Sequence, residues 1–238
     1  MDKKYKIGID EVGRGPIAGP VCVSAFLVKD ESFLESCTSR TCAKNKNKNL
    51  SKLRDSKKLS KKQREEWFEY LKIAKTEGFC DFSVSFVSSE NIDKFGIAKC
   101  IQKALDESLE RVILQNKSFS SGLAPAPVPL VRGPEKKNYF TKLLKDDLSS
   151  FIIFLDGGLK AKEEYINQET IIKGDELHPV ISLASIVAKV SRDKIMEKYG
   201  KEYPEYGFEK HVGYGTKTHY KAIKKHGQTP IHRKTFIH

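Results

Sequence analysis

The spacing of apolar and polar positions predicts a chain of alternating strands and helices. Residues 5–12 (YKIGIDEV) and 20–28 (PVCVSAFLV) are β-rich runs separated by GRGPIAG, a glycine–proline turn, and together they read as a hairpin. Residues 79–87 (FCDFSVSFV) predict a third strand. Ser60 stands in an N-cap position before KKQREEWFEYLKIAK, where Trp67, Phe68, Leu71 and Ala74 recur at helical spacing, so a helix is expected over 61–75. Ile97, Ile101, Ala104, Leu105, Leu109 and Val112 form one stripe of a second amphipathic helix over 97–114. SFIIFLD (150–156) is an uninterrupted apolar run ending in Asp156, which suggests a central strand buried on both faces. QETIIKGD (168–175) reads as a short strand ending in Asp175, and Pro179 opens a helix of about twenty residues. A basic helix over 217–226 precedes the tail IHRKTFIH.

Two stretches break the pattern. Segment 36–58 is polar and contains KNKNKN, and its first half reads as an insertion or mobile loop. Residues 115–138 hold four prolines and read as a long loop. The later strands need the earlier ones as partners, so one domain over 1–238 is expected: a core over 1–200 and a basic helical C-terminal segment over 201–238.

Charge narrows the partners. The 238 residues carry 43 Lys and Arg against 31 Asp and Glu, a net charge of +12. From Lys44 to Arg64 there are ten basic residues and one acid, Asp55. Such an excess points to polyanions, nucleic acid first among them. The composition excludes collagen-like, coiled-coil and wholly disordered chains. No run approaches the ~18 apolar residues of a membrane span, and the charged start MDKKYKIGIDE offers no secretory signal. Five cysteines at irregular spacing, with no C-x-x-C, are expected to stay reduced in a cytoplasmic setting.

The chemistry sits in the acids. Asp10–Glu11, Asp156 and Asp175 each close a predicted strand beside glycine. Strand ends are where side chains of an α/β sheet converge on a crevice. An acid there is costly to bury unless it is paired or bound to metal. Four carboxylates without a Cys/His set suit a hard cation, Mg²⁺ or Mn²⁺, and two such ions suit phosphodiester cleavage. Position alone serves a plainer reading equally well, in which these acids cap turns and pair with lysines. Neighbours on a strand point to opposite faces, so Asp10 and Glu11 require a break in the strand, expected at Val12–Gly13. In Gly13-Arg14-Gly15-Pro16, glycines allow close backbone approach and Arg14 suits a phosphate.

GIDEVGRGPIAGPV resembles the opening motif of the type 2 ribonucleases H, the bacterial ribonuclease HII branch. The resemblance continues through DSKKLS (55–60), FLDGG (154–158), KGDELHPVISLASIVAKVSRDKIM (173–196), YGFEKHVGYGTKTH (206–219) and IHRKTF (231–236). Only about 31–50 and 115–138 fall outside it, as insertions without an assigned role. It implies a ribonuclease H-like α/β fold, a mixed central sheet flanked by helices with a helical C-terminal extension. It implies a metal-dependent endonuclease that hydrolyses the RNA strand of RNA–DNA hybrids and cuts 5′ to single ribonucleotides in duplex DNA, as in ribonucleotide excision repair. The reaction would be a metal-assisted in-line attack by water leaving 5′-phosphate and 3′-hydroxyl ends. The resemblance puts the acidic quartet on Asp10, Glu11, Asp156 and Asp175, holding Mg²⁺ or Mn²⁺, with two ions in the active complex. It puts contacts to the ribose 2′-hydroxyl and flanking phosphates on Gly13, Arg14 and Gly15, the junction-sensing tyrosine on Tyr214 and a substrate lysine on Lys57. A monomer without a C-terminal clamp-binding peptide, and without the N-terminal platform of the ribonuclease HIII branch, is expected. GGLKAKEEY departs from the proline-containing stretch often found after the third acid.

Two rival readings stay open on the residues. A non-catalytic hybrid-binding protein would have no use for the acid set, which repels phosphates without metal. A DNA-cutting relative of the same fold, an integrase or resolvase, would have no use for the glycine–arginine–glycine turn or Tyr214. Asp193, between Arg192 and Lys194, is expected to pair with neighbours. His219 and His226, seven apart, are wrongly spaced for zinc and read as structural or phosphate-facing.

Overall fold

The glycine–proline turn folds the chain back on itself. Strand β1 (Tyr5–Val12) pairs antiparallel with β2 (Val21–Val28), from Lys6 opposite Val28 to Val12 opposite Cys22. The computed structural model describes residues 5–38, 50, 53, 58–116 and 148–237. Strand β3 (Cys80–Val87) extends the antiparallel part beyond β2. On the other side of β1, β4 (Phe151–Asp156) and β5 (Gln168–Ile171) run parallel to it. The order β3-β2-β1-β4-β5 makes one mixed sheet.

Period-two alternation assigns the two faces. Ile7, Ile9, Val23, Ala25, Leu27, Ile153 and Leu155 pack with Ile101, Leu105, Leu109 and Val112 of a long helix. The opposite face receives Trp67, Phe68 and Leu71 from one helix and Val180, Ile181, Ala184 and Val187 from another. Among the described residues the α-helices, in chain order, are α1 (Glu31–Thr38), α2 (Lys61–Thr76), α3 (Ser89–Phe95), α4 (Ile97–Asn116), α5 (Gly174–Leu177), α6 (Pro179–Glu202), α7 (Phe208–His211) and α8 (Lys217–His226). The expected cap of α2 is present as a capping box: Ser60 Oγ accepts from the Gln63 N–H, and Gln63 Oε1 accepts from the Ser60 N–H. Leu71, with no exposed surface, contributes about 2 kcal/mol by burial.

Two expectations are corrected, and two helices were not expected. The strand buried along its whole length is β2, whereas β4 alternates between buried and half-buried positions because it lies next to the short edge strand β5. Strand β5 ends at Ile171, so Asp175 does not close it. The insertion expected over 31–50 opens with helix α1, which buries Phe33, Leu34 and Cys37 in the α2–α6 face. Helix α3, capped by the Ser88 hydroxyl, was not expected at all. The loop expected over 115–138 lies, from residue 117 on, outside the described residues.

A third, smaller cluster joins the C-terminal elements to the start of the chain. Tyr206, Phe208, Ala222 and Ile231 pack with Ala18 and Met196. An isolated antiparallel bridge pairs Ala18 with His232.

Candidate active site

Parallel pairing delivers the ends of β1 and β4 to the same edge of the sheet. The ladder between them stops at Ile9–Leu155, leaving Asp10 and Glu11 on one strand and Asp156 on the other just beyond it. Ligand oxygens of Asp10, Glu11 and Asp156 all lie within 4.8 Å of one another. The break expected at Val12–Gly13 does not separate them: β1 holds its register with β2 through Glu11–Val23 and Val12–Cys22. The alternation rule is escaped at the open side, where β1 has no β4 partner. There the Glu11 N–H donates to Asp10 Oδ1 at 2.8 Å, drawing the Asp10 carboxylate along the strand. The turn follows at Gly13, whose φ of 93° favours glycine and where a Cβ would stand 2.4 Å from Arg192 Nε.

Asp175 reaches the site by another route. It sits in the first turn of α5, behind Lys173 in the left-handed region (φ 56°). Asp156 Oδ1 accepts from the Gly174 N–H at 2.6 Å and the Asp175 N–H at 3.4 Å, so one acid pins the backbone that carries the other. Burial pushes the Asp10 carboxyl well above the usual carboxylate range. A hydrogen bond from Ser185 on α6 works the other way, and the charges of Glu11, Asp156 and Asp175 raise it further. The four acids are thus one electrostatic unit, although only three meet within the 4.8 Å group. Such mutual repulsion among all-oxygen donors fits a divalent hard cation, which takes carboxylates and cancels their charge.

Arg14 flanks the acids, and Tyr214 lies beside the turn that carries it. Arg14 Nη1 lies 3.0 Å from Glu11 Oε1, with its side chain 59% exposed. A Cβ on Gly15 would stand 3.9 Å from Tyr214 Cε1, so the half-exposed tyrosine ring lies beside the glycine turn. Lys57 lies outside the described residues. Asp193 pairs with Lys189 at 2.9 Å, one turn back on α6.

Sequence reasoning missed the residues that hold this turn. Arg192 and Arg233 are both buried. Arg233 donates to the carbonyls of Gly13 (2.7 Å), Arg14 (3.1 Å) and Gly19 (2.9 Å). Arg192 donates to those of Pro20 (2.9 Å), Val212 (2.9 Å) and Ala18 (3.2 Å). Their only signal in the sequence was membership of the SRDK and IHRKTF blocks.

Convergent carboxylates at neighbouring strand ends of a mixed sheet, beside a basic glycine turn, define a metal-dependent nuclease with the ribonuclease H fold. The family model described as Ribonuclease HII matches residues 7–121 and 142–238. The chain belongs to the ribonuclease HII family, and with it is a metal-dependent ribonuclease, a hydrolase. It is 38% identical to the ribonuclease HII of Clostridioides difficile (strain 630) over 238 residues, 99% of this chain and 72% of that one. It is 38% identical to the ribonuclease HII of Endomicrobium trichonymphae over 229 residues, 96% of this chain and 83% of that one. Among solved structures, the PCNA:RNase HII complex from Archaeoglobus fulgidus matches with a TM-score of 0.64 at 24% identity, covering 98% of this chain and 96% of that one. Bst-RNase HIII in complex with Mn²⁺ matches with a TM-score of 0.57 at 16% identity, covering 99% and 68%. At those identities the structural likenesses establish the fold.

Proposed function

We propose that this ribonuclease cuts the RNA strand of RNA–DNA hybrids and cleaves 5′ to single ribonucleotides in duplex DNA, leaving 5′-phosphate and 3′-hydroxyl ends. The observation that carries the reading is the meeting of Asp10, Glu11 and Asp156 within 4.8 Å, next to a turn whose Arg14 touches Glu11 and whose Gly15 faces Tyr214. Asp10, Glu11, Asp156 and Asp175 would hold Mg²⁺ or Mn²⁺, two ions in the active complex. Bound there, a divalent cation supplies Lewis-acid stabilisation of phosphoryl charge and lowers the pKa of water.

The chain's own groups do the rest. Asp156 ties down the backbone that carries Asp175, which lowers the ordering cost of bringing these two acids together. Arg14 rests on Glu11 but is exposed enough to swing onto a phosphate of the substrate, where its planar fork suits two oxygens. Gly15, where a Cβ would meet only Tyr214 Cε1, leaves room for a sugar to approach the backbone, whereas the space at Gly13 is taken by Arg192. A ribose 2′-hydroxyl engaged there rejects deoxyribose, because the polar groups reading it would otherwise lose their partner. Tyr214 offers a flat face against the adjoining sugar. Lys57 is assigned a phosphate contact on the family resemblance alone.

The test is a labelled duplex carrying one ribonucleotide, set beside an all-DNA duplex and a full hybrid, with Mg²⁺, Mn²⁺ or chelator. The expected result is a single metal-dependent cut on the 5′ side of the ribonucleotide, a cut hybrid and an intact DNA duplex. Equal cutting of the all-DNA duplex would overturn the 2′-hydroxyl reading.

A further inference from the structure

We propose that the C-terminal segment Ile231–Arg233 is a strut that positions Tyr214 against the Gly13–Gly15 turn, and that His219 and His232 are positioning residues for ribonucleotide discrimination. The inference rests on the assignment of Tyr214 and the turn to ribose recognition.

The backbone of the tyrosine loop is held at three successive carbonyls. Arg192 Nη1 donates to Val212, the N–H groups of Ile17 and Ala18 donate to Gly213 (2.9 and 3.2 Å), and Tyr214 accepts from the Thr216 N–H (2.8 Å) and from His219 Nδ1 (2.9 Å). Gly213 has a φ of 87°, and a Cβ there would stand 2.3 Å from the Ala18 carbonyl, so this contact admits only glycine. On the other side, Arg233 grips the carbonyls of Gly13 and Arg14. Its N–H donates to Ile17 at 2.8 Å, and the Gly19 N–H donates to Ile231 at 2.8 Å. One three-residue segment therefore reaches both sides of the gap between turn and ring.

The link from that segment to Tyr214 is a histidine pair whose protons are fixed by bookkeeping of donors and acceptors. The Thr229 N–H and the Thr229 hydroxyl, which can donate as well as accept, both lie 2.9 Å from His232 Nδ1. A backbone N–H only donates, so Nδ1 accepts and neutral His232 carries its proton on Nε2. His232 Nε2 faces His219 Nε2 at 3.0 Å. The Tyr214 carbonyl only accepts, so His219 carries its proton on Nδ1 and presents a bare Nε2. The two assignments agree at the shared bond: Thr229 N–H to His232, His232 to His219, His219 to Tyr214. Both rings are buried, and His211 stacks on His219 with centroids 4.4 Å apart. His211 is itself held by the Tyr206 carbonyl (2.8 Å) and the Gly213 N–H (3.3 Å).

The segment is anchored from behind as well. Asp93 on α3 accepts from the N–H groups of Lys234 (2.9 Å) and Thr235 (3.0 Å) and from the Thr235 hydroxyl (2.6 Å). A tail tied at this many points transmits the position of His232 to the tyrosine loop.

Two variants of one residue separate positioning from folding. In His232→Asn the amide oxygen still accepts from Thr229 but no donor reaches His219. In His232→Gln the longer side chain restores a donor near the position of Nε2. The readout is the ratio of kcat/KM on a duplex with one ribonucleotide to that on a full hybrid, with Tyr214→Ala as the reference. Expected are a fall of about tenfold in the ratio for H232N, a near-wild-type ratio for H232Q, and no further fall when H232N is added to Y214A. Imidazole ¹⁵N shifts of the wild-type enzyme at neutral pH should show His219 protonated on Nδ1 and His232 on Nε2. A wild-type ratio in H232N alongside a lowered one in Y214A, or the opposite tautomers, overturns the strut. An unchanged ratio in Y214A overturns the ribose assignment, and the strut falls with it.

Discussion

At the scale of single residues, Asp10 is the acid whose removal is most informative. It is buried, hydrogen-bonded by Ser185 and crowded by three other carboxylates. Asp10→Asn keeps the size and removes one charge from the cluster. It should leave hybrid binding within a few-fold of wild type while lowering the cleavage rate by about 10³-fold or more, since a misplaced cation forfeits several kcal/mol of barrier lowering. Filter binding and single-turnover cleavage read the two effects separately, and a D10N enzyme of undiminished rate would remove Asp10 from the metal set. Asp10, Glu11 and Asp156 were legible because an acid that ends an apolar run has few reasons to be there. Asp175 was legible as a residue but not in its setting, because ETIIKGD reads as one strand until Lys173 turns left-handed and α5 begins. Arg192 and Arg233 were not legible. Their partners are backbone carbonyls, with Pro20 172 positions from Arg192 and Gly13 220 positions from Arg233, and a carbonyl leaves no mark on the sequence.

At the scale of elements, periodicity served where one face was apolar and failed where burial was uneven. The hairpin, α2, α4 and α6 announced themselves by alternation, stripe or cap. Helix α1 did not, because only Phe33, Leu34 and Cys37 of its eight residues are buried and lysine-rich sequence follows. The C-terminal elements carry a pH dependence. Burial holds the His219 imidazole down to about 4, opposed by the bond to Tyr214 and reinforced by His211 and His232, and burial likewise lowers His232. In the unfolded chain both return to about 6.5. Between those values the unfolded chain takes up protons that the fold refuses, so this part of the stability is complete above about pH 6.5 and drains away toward pH 4. The urea midpoint should therefore fall between pH 7 and pH 5. His219→Gln should start lower and fall less steeply. The difference between the two slopes isolates His219 from Asp10, whose raised carboxyl favours the fold in acid. Parallel slopes would mean that His219 is not held neutral.

At the scale of the whole molecule, a net charge of +12 accompanies four acids that share one electrostatic neighbourhood. The excess favours approach of a polyanion, while the acids repel its backbone unless a cation cancels their charge. Affinity for hybrid should therefore drop steeply and linearly in a log–log plot against salt. Deleting residues 39–49, which include Lys44, Lys46 and Lys48, should make that line shallower at unchanged catalytic rate. An unaltered slope would mark the segment as a bystander.

The embrace between residues 13–20 and 231–233 also bears on when activity can arise. A chain made from its amino end has all four acids long before the arginine that clasps the first turn. Until residue 233 has left the ribosome, the acids are present without the clasp that fixes the turn beside them, so a chain ending before Arg233 is expected to cut hybrid more slowly than the full chain in a single-turnover assay.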